Sequence, residues 1–181
     1  MSVFIPDYIF ERVTAISIER LKSMGIKALI LDVDNTLTQH GSQTLDDDIA
    51  LWLETLKRAN IKLMIASNNV AKRVQPFANK INLDFTAFCV KPLPFGLMRA
   101  CKAMNVNKHE TALVGDQIFT DTLAAHFYGI PMLMVNPIHE DYIITIRIKR
   151  FLEKPFIARY YKNGKELISA HKKKEDIQND Q

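Results

Sequence analysis

Asp32-Val33-Asp34-Asn35-Thr36 sets two carboxylates two residues apart, followed by an amide and a hydroxyl, directly after the apolar run Ala28-Leu29-Ile30-Leu31. Other polar groups also come after short apolar runs. Ser67-Asn68-Asn69 comes after Ile61–Ala66, Lys91-Pro92 after Phe85–Val90, and Gly115-Asp116-Gln117 after Thr111–Val114. Carboxylates crowded together repel, so they either take up protons or gather a cation. Oxygen donors with no neighbouring histidine or cysteine suit a hard ion such as Mg²⁺ better than zinc. Mg²⁺ held by few protein oxygens completes its shell with water and with substrate phosphate. Ser67, Asn68 and Lys91 are then candidates for the phosphate oxygens, Lys91 as a point charge. Asp32, at the strand end, can attack phosphorus to form an aspartyl-phosphate. Asp34 can protonate the leaving oxygen and then deprotonate the water that clears the intermediate. A metal and Lys91 would offset charge on the transferring group.

These residues must be brought together by the elements around them. Ala28–Leu31 is an apolar run of the kind buried on both faces of a sheet. Ile49, Trp52, Leu53 and Leu56 recur at helical spacing after the acidic turn Asp46-Asp47-Asp48, which suits a helix N-terminus. Strands over Ile61–Ala66, Phe85–Val90, Thr111–Val114 and Pro131–Val135 alternate with helical stripes. One stripe is Val70, Val74, Phe77, Ala78 and Ile81. A second is Leu97, Cys101 and Met104, and a third helix runs from about Thr120 to Tyr128 and closes at Gly129. Strand and helix in alternation predict an α/β, Rossmann-like parallel sheet with helices on both faces and right-handed crossovers. Ligands bind such sheets at the carboxyl ends of the strands. All four polar clusters belong at that one edge.

The 181 residues suffice for one domain with a tail. Hydrophobic residues make up 48% and charged residues 24%, which excludes a wholly disordered chain. No apolar stretch is long enough to cross a bilayer, and the start of the chain is a poor secretory signal. Cys89 and Cys101 sit among apolar neighbours and read as reduced, buried thiols of a cytoplasmic protein. Arg147–Lys174 carries 10 basic and 2 acidic residues; with a total of +4, that +8 leaves −4 for the rest of the chain. A mildly acidic body without a nucleic-acid motif gives no reason to expect nucleic acid as a partner. The expected division is an N-terminal segment, residues 1–26, packing on a core domain of residues 27–153. A basic tail, residues 154–181, is expected to be partly disordered.

The four clusters resemble the motifs of the haloacid dehalogenase superfamily, phosphatase branch (subfamily IIIA). Asp32-Val33-Asp34-Asn35-Thr36 matches the first motif, Ile65-Ala66-Ser67-Asn68 resembles the second, Lys91-Pro92 the third, and Gly115-Asp116 with Asp121 the fourth. An Asp-x-Asp-x-Thr pattern alone arises by chance about 0.04 times in a chain of this composition, so the ordered set of four carries the resemblance. The spellings Asp-Val-Asp-Asn-Thr-Leu, Ser-Asn-Asn and Gly-Asp-Gln-Ile-Phe-Thr-Asp are similar to the YqeG family, as are Phe4–Tyr8 and Arg147–Glu153. That resemblance implies a nucleophilic Asp32, an acid/base Asp34, and Mg²⁺ held by Asp32, Asp116 and the Asp34 carbonyl. It also implies phosphate contacts from Ser67 and Lys91. Where many relatives carry a second acid beside the fourth-motif Asp, this chain has Gln117, which leaves Asp121 between a metal and a structural role.

Neither Thr38–Asn60 nor Asn69–Val90 has room for a cap domain, and an open site suits a phosphate carried on something large or on a surface. YqeG proteins are similar to the mitochondrial phosphatidylglycerophosphate phosphatase, which makes a phospholipid head group one expected partner and a phosphorylated small molecule another. The basic, aromatic stretch Arg147, Lys149, Arg150, Phe151, Lys154, Phe156, Arg159, Tyr160, Tyr161 and Lys162 fits peripheral contact with the anionic inner face of a membrane. The same stretch also reads as an ordinary solvated helix. A non-catalytic phosphate- or partner-binding domain on the same fold is the rival function.

Overall fold

The structure, a computed structural model, describes residues 2–140 and 142–170. Seven parallel strands form one sheet: β1 (Tyr8–Phe10), β2 (Ala28–Leu31), β3 (Lys62–Ala66), β4 (Asp84–Thr86), β5 (Thr111–Gly115), β6 (Met132–Val135) and β7 (Leu167–Ile168). Their order is β4-β3-β2-β5-β6-β1-β7. The helices are α1 (Ile18–Ser23), α2 (Asp47–Arg58), α3 (Ala71–Lys80), α4 (Phe95–Met104), α5 (Leu123–Tyr128) and α6 (Ile144–Lys162).

Strand residues alternate faces, so each central strand feeds two cores. Leu29, Leu31, Leu63, Ile65, Ala112 and Val114 pack with Leu21 of α1, Trp52 and Leu56 of α2 and Phe77 of α3. Ala28, Ile30, Met64, Ala66 and Leu113 pack on the other face with Leu97 and Cys101 of α4, Ala124 of α5 and Tyr160 of α6. Each large apolar side chain fully buried this way contributes about 1.5–3 kcal/mol. Both cysteines are free and buried. Helix α2 shows how the sequence sets its own limits. Asp47 and Asp48 lie in its first turn, Lys57 and Arg58 in its last, and Ile49, Trp52, Leu53 and Leu56 form the buried stripe.

The sheet is wider than the sequence pattern indicates. The N-terminal segment contributes β1, which pairs with β6 on one side and β7 on the other. Helix α6 runs through the boundary expected after Glu153, and β7 comes after it. Two rings of the stretch expected to face a membrane turn inward. The Tyr160 hydroxyl accepts the Ile9 N–H at 3.0 Å and donates to the Glu166 carbonyl at 3.2 Å. The Phe156 ring stacks on Phe4 with centroids 4.9 Å apart. The expected strand Phe85–Val90 is only three residues long, Asp84–Thr86, because Phe88 and Val90 adopt positive φ and leave the extended region. The disorder expected near Lys172–Asp176 falls outside the described residues.

An ion pair ties the N-terminal segment to the domain. Asp7 Oδ2 accepts the Met132 N–H at 2.8 Å and faces His126 Nε2 at 3.1 Å, while His126 Nδ1 lies 2.7 Å from the Val3 carbonyl. Acceptors at both ring nitrogens call for a doubly protonated imidazolium. The Asp7 hydrogen bond accordingly raises the His126 pKa from 6.5, against the opposing pull of burial. Burial pushes Asp7 up, but His126, the Met132 N–H and Lys165 together bring it below 3.8. A raised histidine stabilises fully below its unfolded pKa and loses that contribution as pH rises through its folded pKa. Stability contributed by the pair, about 1 kcal/mol, is expected at pH 6 and lost well above it. Thermal melts of the parent and His126→Gln across pH 5–9 check this: the difference in Tm should shrink as pH rises.

Candidate active site

The site lies where the sheet changes direction. From β2 the chain moves outward to β3 and β4, then returns to β5 on the other side of β2. The crevice at the carboxyl ends of β2 and β5 is therefore open to a ligand. The Asp32 N–H donates to the Val114 carbonyl at 2.9 Å, so Asp32 continues the β2–β5 ladder by one residue. The Val33 carbonyl then accepts N–H groups from Thr36, Leu37 and Thr38 in a tight turn, with Asn35 at φ +61°. Gly115 ends β5 where a Cβ would lie 2.5 Å from Asp121 Cγ, so only glycine lets the Asp121 carboxyl approach the strand end.

Lys91 is the hub. Its ammonium donates to Asp32 Oδ1 at 2.5 Å, Asp121 Oδ1 at 2.7 Å and the Ala66 carbonyl at 3.0 Å. Those three acceptors use all three of its protons. Burial would lower its pKa, but Asp121 and Asp32 outweigh that and raise it, so Lys91 stays charged. Asn68 fixes the hub from behind: its Oδ1 accepts the Lys91 N–H at 2.7 Å and its Nδ2 donates to the Lys91 carbonyl at 3.0 Å. Both ends of the Asn68 amide thus help to position Lys91. Ser67 is buried, and its Oγ accepts the Asn69 N–H at 3.1 Å.

Asp116 is fully buried. Its Oδ1 accepts from Thr36 Oγ1 at 3.4 Å, and its Oδ2 and carbonyl are both held by the Arg150 guanidinium from α6. Carboxylate oxygens of Asp32, Asp116 and Asp121 all lie within 4.8 Å of one another. Burial raises the Asp32 pKa well above 3.8; Lys91 opposes this, and the negative charges of Asp121 and Asp116 add to it. Asp32, Asp116 and Asp121 thus gather three hard-oxygen donors at one junction, with Lys91 and Arg150 as the cations beside them. That donor set fits a hard divalent cation.

The structure thus brings Asp32, Lys91 and Asp116 together, with Ser67 and Asn68 beside them, and adds Asp121 through Lys91. Asp34 stands apart. Its Oδ2 accepts from Asn69 Nδ2 at 2.7 Å, and its Oδ1 accepts from the Gly41 N–H at 2.9 Å and Arg73 Nη2 at 3.1 Å, with His40 Nδ1 at 3.3 Å. Sequence reasoning missed Arg73 and the pair Arg150–Glu153. Glu153 is buried, with Oε1 accepting the Ile118 N–H at 2.7 Å and the Phe119 N–H at 3.3 Å, and Oε2 lying 3.3 Å from Arg150 Nη1. One signal pointed to it: Glu153 is one of only two acids in the basic stretch and sits three residues after Arg150, on the same helix face.

The model of the haloacid dehalogenase-like hydrolases matches residues 40–129, which include Ser67, Lys91, Asp116 and Asp121. The chain is also 29% identical over 161 residues to the probable phosphatase YqeG of Bacillus subtilis (strain 168), covering 89% of this chain and 94% of that one. By both findings the chain is a hydrolase similar to the haloacid dehalogenase-like family. Solved structures with this fold include a 4-nitrophenylphosphatase from Thermotoga maritima, with a TM-score of 0.54 at 14% identity over 65% of the hydrolase and 88% of that chain. NagD from Escherichia coli K-12 gives a TM-score of 0.52 at 13% identity, over 66% and 93%. Among the described residues, no helix of this hydrolase is long and apolar enough to cross a membrane.

Proposed function

We propose that this hydrolase is a Mg²⁺-dependent phosphatase that works through an aspartyl-phosphate on Asp32. The observation that carries the reading is the junction of Asp32, Asp116 and Asp121, two of them bonded to a lysine whose three protons are all engaged. Asp32, Asp116 and the Asp34 carbonyl would hold the ion, which supplies positive charge to the phosphoryl oxygens. Asp32 attacks phosphorus through one carboxylate oxygen as the bond to the leaving oxygen breaks. Asp34 gives that oxygen its proton, then takes one from the water that attacks the aspartyl-phosphate, releasing phosphate and restoring Asp32. Lys91 opposes the rise that burial brings to the Asp32 pKa and offsets charge on the transferring group. Among the described residues nothing accepts the Ser67 hydroxyl proton, which leaves that donor for a phosphate oxygen. Asp121, bonded to Lys91 and to the Gln117 N–H at 3.2 Å, orients the lysine.

An intact nucleophile, lysine and acid cluster favour catalysis over a binding-only domain. Exposed Phe88, Val90 and Leu93 flank Lys91, and exposed Ile144, Ile148, Phe151 and Leu152 lie on α6 beside Arg150. A groove of about 1080 Å³ runs along α6, lined among others by Tyr142, Ile144, Arg147, Ile148, Phe151 and Lys154. Apolar side chains interleaved with cations suit an anionic bilayer and a phosphate on a lipid head group, phosphatidylglycerophosphate being the first to test. A Mg²⁺-supplemented panel of phosphatidylglycerophosphate, sugar phosphates, nucleotides and a phosphopeptide tests the substrate. Replacing both Ile148 and Phe151 by Asp is expected to weaken sedimentation with anionic vesicles at least tenfold, roughly 1.4 kcal/mol, while turnover of a soluble aryl phosphate is kept. Undiminished vesicle binding would remove the membrane part and leave the phosphatase part standing.

A further inference from the structure

Arg150 is out of place for a helix that serves only as an outer layer. Its guanidinium holds both the carboxylate and the carbonyl of a fully buried acid from another element, yet its side chain is still 19% exposed and lines the groove along α6. The charges explain why it is there. Lys91 serves Asp32 and Asp121, so Asp116 draws its counter-charge from Arg150. A buried carboxylate left without a partner is strongly destabilising.

The same arrangement conflicts with a loaded metal. An ion shared by Asp32 and Asp116 would neutralise the carboxylate that Arg150 now neutralises. It would also set a divalent charge beside a guanidinium in a largely desolvated site, where like charges repel strongly. The structure supplies a second berth. Glu153 Oε2 already lies 3.3 Å from Arg150 Nη1, three residues along α6, and Glu153 is anchored by the Ile118 and Phe119 N–H groups. The guanidinium can leave Asp116 without losing its partner, and the groove it would enter is the one that also carries Arg147 and Lys154.

We propose that Arg150 is a resident counter-ion that occupies the cation's place on Asp116 and yields to the metal, passing onto Glu153 and into the groove along α6. The proposal rests on the reading of this acid cluster as a Mg²⁺ site. Metal loading and the placement of the Arg150 guanidinium are then one linked equilibrium. Each must affect the other by the same factor.

Calorimetric titration of MgCl₂ into the full chain without substrate reads this directly, with the parent, Arg150→Gln and Arg150→Lys compared. Removing the competing charge is expected to tighten Mg²⁺ binding by about fivefold or more, with Arg150→Lys closer to the parent. Thermal melts give the reciprocal readout. Without Mg²⁺, Arg150→Gln should melt below the parent; saturating Mg²⁺ should raise the variant's Tm by more than the parent's and close the gap. A variant that folds only with Mg²⁺ supports the proposal as well. Equal or weaker Mg²⁺ binding by Arg150→Gln, or equal Mg²⁺-induced shifts in Tm, would overturn it and leave the metal site intact. A parent that takes up no Mg²⁺ at millimolar concentrations would overturn the metal reading and the counter-ion exchange together.

Discussion

Asp32→Asn is expected to lower turnover of an aryl phosphate by about 10⁴-fold or more while the fold is kept. The amide matches the carboxylate in shape, and its oxygen can still accept from Lys91, so the hub on Asp121 and the Ala66 carbonyl keeps its geometry. It cannot supply an anionic nucleophile, and no bond to phosphorus can form at that position. Stability should change little, because two effects oppose. The variant loses attraction to Lys91, but it also loses the repulsion from Asp121 and Asp116 that helps push the Asp32 pKa up. Steady-state release of the phenol measures the first effect and a thermal melt the second. Acid quenching with a labelled phosphate ester adds an independent reading: the parent should retain label on the protein and the variant none. Turnover within tenfold of the parent, with a normal melt, would show that position 32 is not the nucleophile.

The central sheet was legible because burial on both faces leaves a simple mark. Ala28–Leu31 and Thr111–Gly115 are unbroken apolar or small runs, and each ends where the chain turns polar. The site was legible for the same reason. Asp32, Ser67 and Asp116 come directly after their strands, and parallel strands deliver the residues at their carboxyl ends to one edge. Lys91 reached the same place by a different route: β4 stops at Thr86, and a loop with Phe88 and Val90 at positive φ carries the lysine inward.

The outer sheet left no such mark. Strand β1 is three residues and β7 two, too short for periodicity, and both depend on pairing with partners distant in sequence. Helix α6 was legible as a helix, but its docking on the sheet was not, because its apolar residues do not form one stripe. Ile144, Ile148, Phe151 and Leu152 are exposed, while Glu153 and Tyr160 are its buried members. Its anchors are a carboxylate, a phenol and a guanidinium that find partners 34 to 151 positions away. Arg73 is comparable: its ion pair with Asp34 at 3.1 Å joins residues 39 apart, and nothing in their local sequence announces it.

Replacing Lys91 by Met should damage both activity and stability, because the hub serves both. The Met side chain is of similar length but carries no charge, so Asp32 loses the cation that holds its pKa down, while burial and the charges of Asp121 and Asp116 remain. Turnover is expected to fall about 10³-fold or more, since Asp32 would spend more of its time protonated and the transferring group would lose a nearby charge. The loss of stability near neutral pH is expected at about 3–5 kcal/mol, the usual cost of breaking a buried pair by removing one partner. Its pH dependence gives the sharper test. An acid whose folded pKa is raised above its unfolded value binds more protons when folded. Stability therefore falls as pH rises from about 3.8 through the folded pKa. Raising that folded pKa further widens the window, so the deficit relative to the parent should be larger at pH 8 than at pH 5. Urea melts at both values measure it. A deficit that does not grow with pH would mean that Lys91 is held by packing alone and that its charge is not what keeps Asp32 ready to attack.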